Sequence, residues 1–151
     1  MVYLFWEYSK MEYKPEAAVE RREYTGMKVL VVDDERVVRE TLLYIFQKHG
    51  FSVETAVDGR EALEKAGRCA PDIIILDFAM PERDGVETCM RLRNDPRTRE
   101  IPVIFFSTRP PPEEDIRRIP GQPVRYVEKP CDLEKLFAQI DGCVPRRSSP
   151  P

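Results

Sequence analysis

The sequence predicts a doubly wound α/β domain, a five-stranded parallel sheet with helices on both faces. Three observations point to it. Short, branched apolar runs recur without alternation, as Val29-Leu30-Val31-Val32, Ile73-Ile74-Ile75-Leu76 and Ile101 to Phe106. Such runs read as strands buried on both faces. Between them lie segments with apolar residues at helical spacing, so strand and helix alternate. Finally, the runs stop at acidic or hydroxyl residues, which places chemistry at the carboxyl ends of the strands, where open α/β sheets keep their ligands.

Each element has its own signal. Val29 to Val32 is the first strand and ends at Asp33-Asp34. Glu35 to His49 is helical, with Val38, Leu42, Ile45 and Phe46 on one face and Gly50 just beyond its end. Phe51 to Val57 is a weaker strand, and Asp58 caps a helix through Ala62, Leu63 and Ala66. Ile73 to Leu76 is the third strand and stops abruptly at Asp77; Gly85 to Asn94 is the third helix. Ile101 to Phe106 is the fourth strand. Pro110-Pro111-Pro112 then forbids helix until Glu113, and a short helix from Glu113 ends at Ile119, before Pro120. Val124 to Val127 is the fifth strand, ending near Lys129-Pro130. Asp132 to Ile140 is the last helix, with Leu133, Leu136, Phe137 and Ile140 inward.

Length and composition narrow the function. A chain of 151 residues suits one domain with short extensions. Its net charge of −3 argues against an electrostatic nucleic-acid binder, which needs a basic face. The four cysteines, Cys69, Cys89, Cys131 and Cys143, form no CxxC pair, and the chain holds one His, so a zinc site is not expected. Isolated cysteines fit a reducing compartment. No apolar run approaches the roughly 18 residues of a membrane helix, and the N-terminus shows no secretory pattern. A cytoplasmic protein without membrane contact is expected.

In a doubly wound sheet the strand ends share one rim. Asp33, Asp34 and Asp77 then converge with Ser107 and Lys129. Three bare carboxylates repel and raise one another's pKa. A hard divalent cation removes that conflict, and Mg²⁺ prefers a few carboxylates, water and a phosphate oxygen. Lys129 adds a point charge suited to a phosphoryl group, and Ser107 a small donor. A carboxylate so surrounded is equipped to take a phosphoryl group as an acyl phosphate.

Four segments, VLVVDDE (29–35), ILDFAMPERDG (75–85), IPVIFFST (101–108) and YVEKP (126–130), carry a specific resemblance. In that order and at that spacing, the chain resembles the receiver domain of bacterial two-component response regulators over residues 27–141. The resemblance implies a flavodoxin-like strand order, 2-1-3-4-5. It implies that Asp77 is the phosphoacceptor, that Asp34 binds Mg²⁺ directly and Asp33 through water, and that Ala79 gives its backbone carbonyl to the metal. Lys129, aimed by a cis bond to Pro130, would pair with the phosphoryl oxygens. Ser107 matches the switch hydroxyl and Tyr126 the switch aromatic, which together shift the surface formed by the fourth helix, fifth strand and fifth helix.

The implied partners are a sensor histidine kinase or phosphotransfer protein upstream and a protein target downstream. Homodimers through the N-terminal arm or the helix 4–strand 5–helix 5 face fit the same reading. The only chemistry implied is the chain's own phosphorylation and dephosphorylation, not the turnover of a separate substrate. A stand-alone receiver is expected, since about ten residues follow the last helix, few for a further domain. The alternatives are a receiver cut from a longer regulator or hybrid kinase, and a Mg²⁺-dependent phosphatase with an aspartyl nucleophile. The phosphatase reading lacks its usual DxD on the first strand and its cap domain.

Residues 1–26 stand apart, with Tyr3, Phe5, Trp6, Tyr8, Tyr13 and Tyr24. They read either as a cloning remnant or upstream translation, or as an arm that packs on the domain or on a second copy. Residues 142–151 read as a disordered tail. His49 is expected to serve the helix dipole rather than to carry phosphate, and Glu113 to Asp115 to form a dipole-matched helix start. Thr108, Arg109 and Ala79 depart from the family's usual pattern. Ala79 has no side chain to position an attacking water, and Arg109 is long enough to cover the site, so slow loss of phosphate is expected. The three prolines stiffen the loop through which a receiver normally transmits its state.

Overall fold

A computed structural model describes residues 24–80 and 85–144. Ten elements alternate: β1 (Lys28–Val32), α1 (Arg36–Lys48), β2 (Ser52–Ala56), α2 (Gly59–Cys69), β3 (Ile73–Leu76), α3 (Gly85–Asn94), β4 (Val103–Ser107), α4 (Glu113–Arg118), β5 (Arg125–Glu128) and α5 (Leu133–Cys143). The strands form one sheet in the order β2-β1-β3-β4-β5, every pair parallel. The expected topology is therefore the observed one.

The alternation of side chains across the pleat divides the core in two. Val29, Val31, Ile73, Ile75, Ile104 and Phe106 face α1 and α5, meeting Val38, Leu42 and Phe46 from one helix and Leu136, Phe137 and Ile140 from the other. Leu30, Val32, Ile74, Leu76, Val103 and Phe105 face α2 and α3, meeting Ala62, Ala66, Cys89 and Leu92. All four residues of β3 are buried, as a central strand covered on both faces requires.

Local signals hold at the helix starts. The Asp58 carboxylate accepts the Glu61 N–H at 2.8 Å, and the Asp132 carboxylate accepts the Lys135 N–H at 2.8 Å. His49 is the C-terminal cap of α1. Its ring lies 4.4 Å from that of Phe137, and burial holds its pKa below the ordinary value. β4 starts two residues later than the apolar run and includes Ser107 as its last residue.

The limits of the packed domain differ from the sequence reading. Tyr24, grouped there with the N-terminal extension, is a core residue. Its ring stacks on Phe51 at 4.4 Å and on Phe137 at 5.6 Å, and its hydroxyl donates to Asp141 at 2.6 Å. At the other end α5 continues to Cys143, and Val144 is buried against the same cluster. The remainder of the aromatic arm, residues 81–84 and the tail from 145 lie outside the described residues.

Candidate functional site

The strand ends assemble the site through backbone hydrogen bonds. One rung beyond β1, the Asp33 N–H donates to Ala56 O at 3.1 Å, and one rung beyond β3 the Asp77 N–H donates to Val32 O at 2.9 Å. These rungs set both acids at fixed height on neighbouring strands. The Lys129 N–H donates to Ser107 O at 2.8 Å, which fixes the β5 end against the β4 end in the same manner. The Lys129–Pro130 peptide is cis. Asp33, Asp77, Ser107 and Lys129 are all buried, while Asp34 is exposed.

Asp33, Asp34 and Asp77 each offer a carboxylate oxygen, and these oxygens lie within 4.8 Å of one another. The Ser107 hydroxyl donates to Asp77 Oδ1 at 2.9 Å, and the Ala79 N–H donates to the same oxygen at 3.2 Å. Lys129 Nζ sits 2.5 Å from Asp33 Oδ2 and 3.8 Å from Asp77 Oδ2. The Tyr126 hydroxyl donates to the Ser107 carbonyl at 3.3 Å, so the ring is tied to the strand that carries the serine. Every residue singled out from the sequence thus lies at this rim.

Three acids around one ammonium leave the site short of positive charge. Burial pushes the Asp33 carboxyl up to about 6; Lys129 draws it down and Asp77 pushes it further up. Hard oxygen donors in excess of their counter-charge are the donor set that suits a divalent cation such as Mg²⁺. Asp33 also works as a helix-entry residue, since its Oδ1 accepts the Glu35 N–H at 2.9 Å. This turn-forming bond and the cluster role therefore coexist in one side chain.

Three neighbours complete the surroundings. A Cβ at Gly85 would lie 2.4 Å from the Asp77 carbonyl and 2.9 Å from Phe78 Cα, so the start of α3 presses directly on the acid's backbone. Arg109 holds its guanidinium 5.9 Å from the ring centroid of Phe78, the residue that follows Asp77. Arg39, which nothing in the sequence distinguished from the other polar residues of α1, donates Nη1 to Asp33 O at 2.8 Å and to Asp34 O at 3.0 Å.

Comparison with known proteins follows this geometry. Residues 29–141 match the response regulator receiver domain family. The chain belongs to that family. The receiver is 39% identical over 124 residues to the response regulator MprA of Mycobacterium leprae (strain TN), covering 82% of this chain and 53% of that protein. It is 36% identical over 125 residues to MprA of Mycobacterium bovis (strain BCG / Pasteur 1173P2), again 53% of that protein. The receiver therefore spans about half the length of the curated relatives it matches. Among solved structures it superimposes on the chemotaxis protein CheY4 of Vibrio cholerae with a TM-score of 0.72 at 32% identity, over 78% of this chain and 98% of that one. It also matches the N-terminal domain of a response regulator receiver protein from Methanoculleus marisnigri JR1, with a TM-score of 0.64 at 31% identity, over 82% of this chain and all of that one. Phosphorelay signalling is thus the receiver's setting, and among the described residues no helix is long and apolar enough to cross a membrane.

Proposed function

We propose that this receiver accepts a phosphoryl group on Asp77 from a histidine kinase or phosphotransfer protein and, so modified, switches a protein-docking surface. The observation that carries the reading is the convergence of three carboxylates within 4.8 Å with Ser107 and Lys129 set against them. An Asp77 carboxylate oxygen attacks the donor phosphorus. The phosphorus–nitrogen bond of the donor phosphohistidine breaks, the imidazole leaves with a proton from solvent, and Asp77 becomes an acyl phosphate. Mg²⁺ fits the donor set. Asp34 and Asp77 would hold it, with Asp33 through water and Ala79 through its carbonyl, and when bound the ion neutralises charge on the phosphoryl oxygens.

The remaining work falls to the chain's own groups. Lys129 already spans Asp33 and Asp77, so a phosphoryl oxygen on Asp77 gives its ammonium a new anionic partner. The Ser107 hydroxyl, now on Asp77 Oδ1, is free to turn to a phosphoryl oxygen. Tyr126 is bonded to the Ser107 carbonyl and feels any shift of that strand end, which links the site to the β5 surface. Hydrolysis returns the Asp77 carboxylate and inorganic phosphate. No other turnover is ascribed to the receiver, and a cytoplasmic setting belongs to the same reading.

The test is incubation with Mg²⁺ and a small acyl-phosphate or phosphoramidate donor, read by intact mass. One base-labile phosphate is expected on the parent and none on Asp77→Asn. A parent left unlabelled by every donor sinks the reading. The matched segment covers only about half of the MprA relatives, which favours a second form of output, through a domain joined to this receiver, over the stand-alone form. The length of the native reading frame decides between them.

A further inference from the structure

We infer that Arg39 is a positioning residue for the metal-binding turn: its guanidinium holds the backbone of Asp33 and Asp34 so that their carboxylates meet at one point. The inference rests on the Mg²⁺ part of the proposed function. Arg39 lies in the second turn of α1 and is half-buried. Besides the two carbonyls of Asp33 and Asp34, its own backbone N–H donates to Glu35 O at 3.2 Å. One residue therefore engages three consecutive carbonyls of the turn.

The two acids need that support unequally. Asp33 is buried, and its carboxylate is held by the Glu35 N–H and by Lys129. Asp34 is exposed, and among the described residues its side chain makes no hydrogen bond or ion pair. The aim of its carboxylate is thus set by its backbone alone, and Arg39 is what grips that backbone. One guanidinium nitrogen, Nη1, carries two N–H bonds and meets both carbonyls with them. It takes carbonyls and not carboxylates, so the acids stay available to a cation. Groups of this kind behind a metal ligand typically change affinity 10- to 100-fold when lost.

Charge and positioning predict opposite signs. Arg39 is a cation near a cation site, so removing it tightens Mg²⁺ binding if Coulomb repulsion dominates. If positioning dominates, removal weakens binding. The experiment titrates Mg²⁺ alone, by calorimetry, into the parent, Arg39→Gln, Arg39→Lys and Arg36→Gln. Arg36 is exposed on the same helix and paired with Glu40, so its loss removes the same charge without touching the turn. Arg39→Gln is expected to bind at least about tenfold more weakly. Arg39→Lys, which keeps the charge and the donors on a stem one bond shorter, falls between it and the parent, and Arg36→Gln stays at the parental affinity or slightly tighter. In labelling with acetyl phosphate, Arg39→Gln needs more Mg²⁺ for half-maximal rate, while its rate at saturating Mg²⁺ stays near the parent's. Parental or tighter binding by Arg39→Gln overturns the inference. Should that variant not fold, parental or tighter binding by Arg39→Met, which keeps the apolar stem without any donor, overturns it equally. A parent that takes up no Mg²⁺ brings down the metal reading itself, an outcome distinct from a failure confined to the variants.

Discussion

The rim that carries Asp77 and the segment from Thr108 to Arg118 lie next to each other and are built in opposite ways. At the rim, four polar residues are buried and each strand end is stitched to its neighbour by a backbone rung. In the adjoining segment α4 is six residues long and has no buried residue. Its own ties are exposed pairs such as Arg117–Glu113 and Arg118–Asp115, which contribute little in water. Three prolines precede it, each with a fixed φ and no donor. A receiver needs its acceptor held still and its output surface free to shift, and the burial of the two regions differs in that sense. The prolines are the exception, because they restrict the part that is otherwise least held.

The largest effect expected from breaking the rim is that of Lys129→Ala. Removing one partner of a buried ion pair leaves an uncompensated charge, at a cost of about 3–5 kcal/mol. Here it strands Asp33 and Asp77 together. Urea unfolding at pH 8 with a chelator present is expected to show a loss of that order, partly restored by Mg²⁺. Gly85→Ala comes next. Its Cβ would fall 2.4 Å from the Asp77 carbonyl, which is backbone and cannot swing aside. Overpacking of this sort costs about 1–3 kcal/mol. The same variant should label more slowly on Asp77, because the helix start can move only by pushing the acid. An unchanged unfolding midpoint would show that the approach of α3 to β3 is not a constraint.

Acid titration gives a smaller effect of predictable sign. The Asp33 pKa is raised by burial from 3.8 to about 6, so the folded state takes up a proton more readily than the unfolded chain. The stability this group contributes is fully present below about pH 4 and is lost as pH rises through about 6. In metal-free buffer the parent is therefore expected to lose stability across that interval on this account, and Asp33→Asn to show a flatter profile. Under the proposed function Mg²⁺ opposes the trend, since it would bind the deprotonated cluster. If the two metal-free profiles are parallel, the buried carboxyl is ionised throughout and Lys129 outweighs its desolvation.

How much of this was legible in the sequence follows from the same contrast. Strands buried on both faces spell themselves as unbroken apolar runs, so the positions where those runs stop, at Asp33, Asp77 and Ser107, could be read directly as rim positions. Topology then brought them together with Lys129. Residues whose role depends on an approach between distant backbones could not be read that way. Tyr24 is one aromatic among several near the N-terminus, and only Phe51, Phe137 and Asp141 distinguish it. Gly85 reads as a helix opening, although its missing side chain is what lets α3 close on Asp77. Arg39 sits on the polar side of an amphipathic helix, and hydrogen bonds to carbonyls leave no trace in residue pattern. Side-chain chemistry was visible, and the backbone that aims it was not.

The mildest test lies in the loosely held segment. Arg109 is exposed, and its guanidinium stands 5.9 Å from the Phe78 ring centroid. With an exposed cation such a contact contributes about 0.5–1 kcal/mol, so Arg109→Ala should barely move the unfolding midpoint. Phe78 follows Asp77 in the chain, so a guanidinium over its ring is expected to hinder a water approaching a phosphoryl group on Asp77, and Ala79 offers no side chain to guide that water. Decay of the phosphorylated protein with Mg²⁺ present is expected to be several-fold faster in Arg109→Ala than in the parent. Faster decay in the parent would reverse the assignment and make Arg109 a group that helps hydrolysis instead of covering the site. Either result separates the rim, where substitutions cost stability, from its neighbour, where they change the lifetime of the signal and leave the fold alone.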